Sequence, residues 1–243
     1  SPIKINHTDE KLNKATRYFP LVGWIVGVIS FVCYYLSSIM FPNEIAVLIS
    51  LVAGIFTTGA FHEDGFADFF DGFGGGWTKT KILDIMKDSR VGTYGMVSSI
   101  LLYALKFYCI LYISEILKDG SPLWLLLFFI LYHSLARWTA IQLCFVLDYA
   151  REDELSKAKP IAKKQTSTEI VWVYFYGLLP LIGFSFILPW SFLILLPLAL
   201  LLLYFRRYLM KWLGGYTGDC LGAVEQIAEL VIMLTLLVVW KFM

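Results

Sequence analysis

The sequence predicts an all-α, polytopic membrane protein with about seven transmembrane helices and a cytoplasmic N-terminus. Three observations carry that expectation. Hydrophobic residues make up 58% of the 243 positions, enough for about seven of the ~20-residue stretches that cross a bilayer. Charged residues make up only 16%, well under the ~25% of soluble domains. The basic residues alternate along the chain between two sides, as cytoplasmic and outer loops do. The same composition excludes a disordered chain, a basic nucleic-acid-binding domain and a small disulfide-stapled secreted protein. The expected surroundings are a lipid bilayer, with no nucleic acid as partner.

Apolar runs occupy about 20–41, 44–61, 95–117, 122–147, 170–188, 191–205 and 221–240, each near the length needed to cross ~30 Å of hydrocarbon. They are continuous rather than alternating, which excludes a transmembrane barrel. The sixth is short, and the seventh carries Glu225 and Glu229 in its first turns. Pro180 and Pro197 fall inside spans and are expected to kink them.

The connections set the orientation. Lys4, Lys11, Lys14 and Arg17 precede the first span; Lys79, Lys81, Lys87 and Arg90 follow the second. Arg151, Lys157, Lys159, Lys163 and Lys164 follow the fourth, and Arg206, Arg207 and Lys211 follow the sixth. The alternate connections and the C-terminus hold only Lys118 and Lys241. Lys106 and Arg137 fall inside spans. This bias predicts a multi-pass protein of the cell (inner) membrane with its N-terminus in the cytoplasm and its C-terminus outside. Residues 1–243 read as a single domain. There is no internal repeat of the kind expected of many transporters. Cys33, Cys109, Cys144 and Cys220 form no C-x-x-C pair and read as small hydrophobes rather than a zinc or disulfide site.

The chemistry concentrates in residues 61–77, FHEDGFADFFDGFGGGW, on the predicted cytoplasmic side. Asp64, Asp68 and Asp71 are spaced i, i+4, i+7 and so share one face of a helix. Phe66, Ala67, Phe69 and Phe70 cover its other faces. The segment reads as a continuation of the second span. Two unit charges about 5 Å apart repel by roughly 3 kcal/mol at an effective dielectric near 20, so such a stripe calls for protons, basic partners or a metal. An all-oxygen set suits Mg²⁺, with Mn²⁺ as the alternative, rather than zinc. The bland reading is a solvated acidic face paired with Lys79, Lys81 and Arg90. It leaves unexplained the run Gly74, Gly75 and Gly76, where backbone could approach a ligand closely.

Two further stretches lie on the same predicted side. In residues 84–95, DIMKDSRVGTYG, Lys87 and Arg90 suit phosphate. Asp88 either adds a metal ligand or holds Arg90, and the loop around Gly92 presents N–H groups to an anion. In residues 213–229, LGGYTGDCLGAVEQIAE, Asp219 opens the last helix, and Glu225 and Glu229 share a face. Inside the fourth span His133 and Arg137 are also i, i+4, and an arginine at that depth needs a partner. His62 adjoins the acidic stripe.

The stretches GAFHEDGFADFFDG (59–72), IMKDSRVGTYG (85–95) and GGYTGDCLGAVEQIAEL (214–230) together resemble the cobalamin-5′-phosphate synthase family, also called adenosylcobinamide-GDP ribazoletransferases. The likeness runs in order over nearly the whole chain, through Arg137 and Tyr149-Ala150-Arg151. It implies the nucleotide-loop assembly step of cobalamin biosynthesis. In that step a ribose hydroxyl of α-ribazole 5′-phosphate attacks the phosphate on cobinamide in adenosylcobinamide-GDP, and GMP leaves. The resemblance implies Mg²⁺ held by Asp64, Asp68, Asp71 and Asp219, with Asp68 or Asp71 accepting the hydroxyl proton. Substrate contacts are expected from Lys87, Asp88, Arg90, Gly92, Arg137, Arg151, Gly215, Thr217 and Glu225. His62, Glu63 and Glu229 are further candidates. Oligomeric state stays open, a homo-oligomer included.

Two rival readings fit the residues less well. A CDP-alcohol phosphotransferase of lipid synthesis needs an Arg after D-G-x-x-A, but here Gly65-Phe66-Ala67 leads to Asp68. A metal or metabolite transporter would place its acids near the bilayer midplane, whereas these cluster at one membrane face.

Overall fold

A computed structural model describes residues 14–151 and 166–242. The described residues form nine α-helices: α1 Phe19–Ser38, α2 Asn43–Thr58, α3 Phe61–Gly75, α4 Lys79–Ile85, α5 Thr93–Leu117, α6 Pro122–Val146, α7 Ser167–Ser185, α8 Leu195–Trp212 and α9 Gly218–Phe242. Short 3-10 turns at Thr16–Tyr18 and Pro189–Ile194 lead into α1 and α8. Among the described residues the only extended pairing is a bridge between Tyr149 and Tyr216. Lys4, Lys11, Lys157, Lys159, Lys163 and Lys164 lie outside the described residues.

The protein is all-α and polytopic. Six helices, with their leading 3-10 turns, are long and apolar enough to cross a membrane, and α2 with α3 makes a seventh candidate. Helix ends follow local chemistry. Ser121 accepts the Leu123 N–H ahead of Pro122, and Thr166 and Glu169 form a capping box at the start of α7, so each satisfies donors that a first turn leaves open.

Two helices form the centre. In α6 and α9, 72% and 61% of the span is buried, against 22–33% in the other candidate spans. Phe128, Phe129, Tyr132 and Leu135 of α6 share a core with Ile232, Met233 and Leu236 of α9. The outer helices turn Ile25, Leu48, Ile100, Leu101, Leu196 and Leu200 outward, a surface suited to lipid. Cys109, Cys144 and Cys220 are buried free thiols and Cys33 is half-buried.

The structure departs from the sequence reading at three places. The acidic segment is not a continuation of the second span: α3 leaves α2 at 88°. Gly59 (φ 65°) and Ala60 (φ 58°) both take the left-handed conformation, and their N–H groups close back on Phe56 and Ile55, so α2 ends in a reversal before α3 begins. The sixth span reaches Trp212 rather than 205, because Arg206, Arg207 and Lys211 stay helical while facing outward. Pro197 sits in the first turn of α8, where its missing N–H is not needed.

The turn at 59–60 lays α3 across one end of the bundle. Phe19, Phe61, Ala140 and Gly218 line one pocket there, and Tyr174 bonds Gln142. Phe69 and Phe73 of α3 pack their rings at a tilt against Phe205 and Tyr208 of α8. The starts of α1, α5, α7 and α9 and the ends of α2, α6 and α8 therefore share this end.

Candidate active site

The site is built where α3 crosses α9. A Cβ on Gly65 would lie 3.0 Å from Asp219 Cα, and one on Gly222 would lie 2.9 Å from the His62 carbonyl. Two facing glycines thus let the helices approach closely. The crossing brings Asp64 and Asp68 beside Asp219. The Asp68 carboxyl is pushed up to about 7 by its burial and by the charges of Asp64, Asp219 and Asp71, since burial and like charge both disfavour the ionised form.

Asp71 does something else. Its oxygens accept the backbone N–H groups of Gly92 at 2.6 Å and Gly95 at 2.8 Å. These are open donors in the first turn of α5, at the positive end of its dipole. The anion expected at the Gly92 loop is therefore the protein's own carboxylate. Gly92 is itself exposed, but its N–H is taken by Asp71.

Asp219 is drawn toward Arg151, whose Nη2 lies 2.7 Å from Oδ2. Arg151 is placed by the bridge between its own segment and the residues around Tyr216. Ala150 N–H donates to Tyr216 O and Tyr216 N–H donates to Asp148 O. Gly215 makes that approach possible, since a Cβ there would sit 2.2 Å from Asp148 O. Thr217 is fully buried; its hydroxyl accepts from Cys220 N–H and donates to Asp219. Gly215 and Thr217 thus shape the site from behind.

Lys87 and Arg151, with Lys79, Thr80 and Asp84, border an open cleft of about 430 Å³. Arg90 grips Asp88 with two nitrogens at the exposed turn, and this pairing holds the Asp88 carboxyl down at about 2. Asp88 holds Arg90, the second of its two expected roles. The glycines at 74–76 face the Tyr94 ring, Ile85 and Ile82, so they serve packing against α4 and α5.

Beneath the carboxylates lies a buried polar network. Glu225 and Glu229 are 1% and 3% exposed. Arg137 Nη1 lies 2.9 Å from Glu225 Oε1, and His133 Nδ1 lies 2.6 Å from Glu229 Oε1. Lys106 of α5 donates to Glu229 at 2.6 Å and to Gln226 at 2.5 Å, and Gln226 donates to Glu63 at 3.2 Å. A cavity of about 20 Å³ borders this group, room for one water. Lys106 and Gln226 join this network although the sequence motifs do not single them out. The signal was present, because a lysine inside an apolar span seldom lacks an acidic partner.

Among the described residues, no three His, Cys, Asp or Glu side chains already converge as a metal-holding group. Asp71 faces α5, and Asp219 faces Arg151.

The model of the cobalamin-5-phosphate synthase family matches residues 1–237. The chain belongs to this family. Curated members named adenosylcobinamide-GDP ribazoletransferase are similar to it over nearly their full length. The one from Leptospira interrogans is 41% identical over 241 residues, covering 97% of this chain and 89% of its own. That of Shewanella amazonensis is 40% identical over 249 residues, covering 99% and 90%. That of Shewanella oneidensis is 42% identical over 234 residues, covering 95% and 86%. No solved structure matches the chain. As a cobalamin-5-phosphate synthase family member, the chain is an enzyme of cobalamin biosynthesis set in a multi-helix membrane scaffold.

Proposed function

We propose that this chain joins adenosylcobinamide-GDP to α-ribazole, or its 5′-phosphate, and releases GMP. The observation that carries this reading is the gathering of Asp64, Asp68 and Asp219 at the α3–α9 crossing, in a chain matched by the family model from residue 1 to 237. The basic-residue bias supports a cytoplasmic position for this end of the bundle.

Carboxylate oxygens suit a hard cation such as Mg²⁺ and their mutual repulsion favours one, but among the described residues no three of them converge as a metal-holding group, so binding requires the carboxylates to draw together. Asp64, Asp68 and Asp219 would hold it. When bound it supplies charge neutralisation for the diphosphate. The remaining work belongs to the chain. Lys87 and Arg151 bind phosphate oxygens from the adjoining cleft. Asp68, beside the place the cation would take, is the carboxylate suited to take the ribose hydroxyl proton. As that proton leaves, the hydroxyl oxygen bonds to the phosphorus attached to cobinamide. The bond from that phosphorus to the bridging oxygen breaks, and GMP departs with the electron pair.

The test is GMP release by purified protein given both substrates, with and without Mg²⁺ or Mn²⁺. Release that requires the divalent ion is the expected result. No release under any metal condition would overturn the reading and favour transport.

A further inference from the structure

A pocket of about 240 Å³ lies between α1, α3, α6 and α9, and the mechanism above makes no use of it. Phe19, Phe61, Ala140 and Ile141 give it apolar walls, and His62, Arg137 and Glu225 form a polar end. Gly218, the residue before Asp219, also lines it, so the pocket and the carboxylate site share a wall.

The polar end is a built feature. Arg137 is 5% exposed and Glu225 only 1%. Arg137 Nη2 lies 3.4 Å from His62 Nδ1. A guanidinium only donates, so Nδ1 accepts, and the proton of the neutral ring sits on Nε2. Glu225 Oε1 touches Arg137 but has no aligned hydrogen bond. A lipid chain would gain nothing from a buried cation, imidazole and carboxylate. A flat heteroaromatic base with one free ring nitrogen gains from both parts: its faces bury against hydrocarbon, and its nitrogen accepts a hydrogen bond.

We propose that this pocket is the base subsite for the ribazole nucleotide, with the heteroaromatic base inserted among Phe19, Phe61 and Ile141 and its free ring nitrogen accepting from His62. The ribose then leads past Gly218 toward Asp68. The assignment rests on the nucleotide-joining reading above, and it makes His62 a specificity-determining residue.

The test uses the full chain in lipid nanodiscs. Binding of α-ribazole 5′-phosphate is measured by equilibrium dialysis without the second substrate, followed by the KM of each substrate. Ala140→Leu fills the pocket and is expected to weaken nucleotide binding about tenfold or more, raising the nucleotide's KM and not that of adenosylcobinamide-GDP. His62→Leu does the same, and His62→Gln, which keeps a donor, recovers most of the loss. A nucleotide whose free ring nitrogen is replaced by carbon binds the unaltered protein weakly and no longer discriminates against His62→Leu. Unchanged nucleotide affinity in a well-folded Ala140→Leu protein, or an equal rise in both KM values, would overturn the assignment. So would labelling of the pocket by a photoactivatable lipid that the nucleotide does not compete away. Nucleotide binding that responds to Ala140→Leu in a protein releasing no GMP would sink the reaction and leave the subsite standing.

Discussion

Asp71 on α3 holds the N-terminus of α5 through the backbone N–H of Gly92, at 2.6 Å. This separates the tasks of two carboxylates in one stripe. Asp68 sits among like charges, while Asp71 already has two donors.

Substituting the two is expected to give different failures. Asp68→Asn folds with a melting temperature unchanged or raised, since it removes a charge from among like charges, and loses about 100-fold or more in kcat, the scale of a lost general base. Asp71→Ala leaves two first-turn N–H groups without their acceptor and costs about 1–3 kcal/mol of stability, with activity falling as the α3–α5 joint loosens. Thermal unfolding and GMP release on the same preparations check both. A loss of less than tenfold in Asp68→Asn, with folding intact, would remove that carboxylate from the mechanism.

The Asp68 carboxyl, pushed up to about 7, predicts a pH-dependent cation site. Below that pH the group is protonated, and a divalent ion must displace the proton to bind. Mg²⁺ affinity is therefore expected to fall with acidification by about tenfold per pH unit for one displaced proton, and to level off above pH 8. Calorimetric titration from pH 5.5 to 8.5 measures it. In the cation-free protein the sign is reversed for stability. The raised folded value means that folding retains a proton, so this group's contribution declines as pH rises from the unfolded value toward 7. An affinity that does not change between pH 6 and 8 would remove Asp68 from the site.

How much of this was legible in the chain follows from what hydropathy and spacing encode. Span existence was readable because ~20 apolar residues have few other uses. The break at Gly59-Ala60 was not. A glycine after an apolar run is compatible with a straight helix, and Ala60 carries no sign that it adopts φ 58°. The acidic stripe was readable from its i, i+4, i+7 spacing, but not the division of labour within it, since only tertiary contact shows that Asp71 meets Gly92 and Gly95. Glu225 and Arg137 were readable as costly intramembrane charges. Their partnership was not, because 88 positions separate them in the sequence and local periodicity carries no pairing across such a distance.

Lys106 is expected to be structurally indispensable only while Glu229 is charged. Lys106→Met leaves Glu229 and Gln226 short of a buried partner and is expected to cost about 3–5 kcal/mol. Adding Glu229→Gln to that variant removes the uncompensated charge and is expected to restore part of the loss. Thermal unfolding of the two single variants and the double variant gives the coupling. Additive losses would mean that the 2.6 Å contact contributes nothing specific.

The last prediction separates geometry from chemistry at Arg151. Arg151→Ala removes a phosphate-binding cation and is expected to raise the KM for the phosphate-bearing substrates about tenfold or more, in keeping with the worth of a charge-assisted hydrogen bond. Gly215 touches no substrate in the proposed mechanism, yet a Cβ there would press to 2.2 Å from the Asp148 carbonyl. Gly215→Ala must therefore push the 148–151 segment off Tyr216, breaking the two backbone bonds that place Arg151 beside Asp219. Its kinetic signature is expected to match that of Arg151→Ala, with the same substrate affected. Combining the two substitutions should add little, because residues acting through one contact are not additive. A Gly215→Ala protein with an unchanged KM would show that the bridge does not position Arg151, whatever that arginine binds.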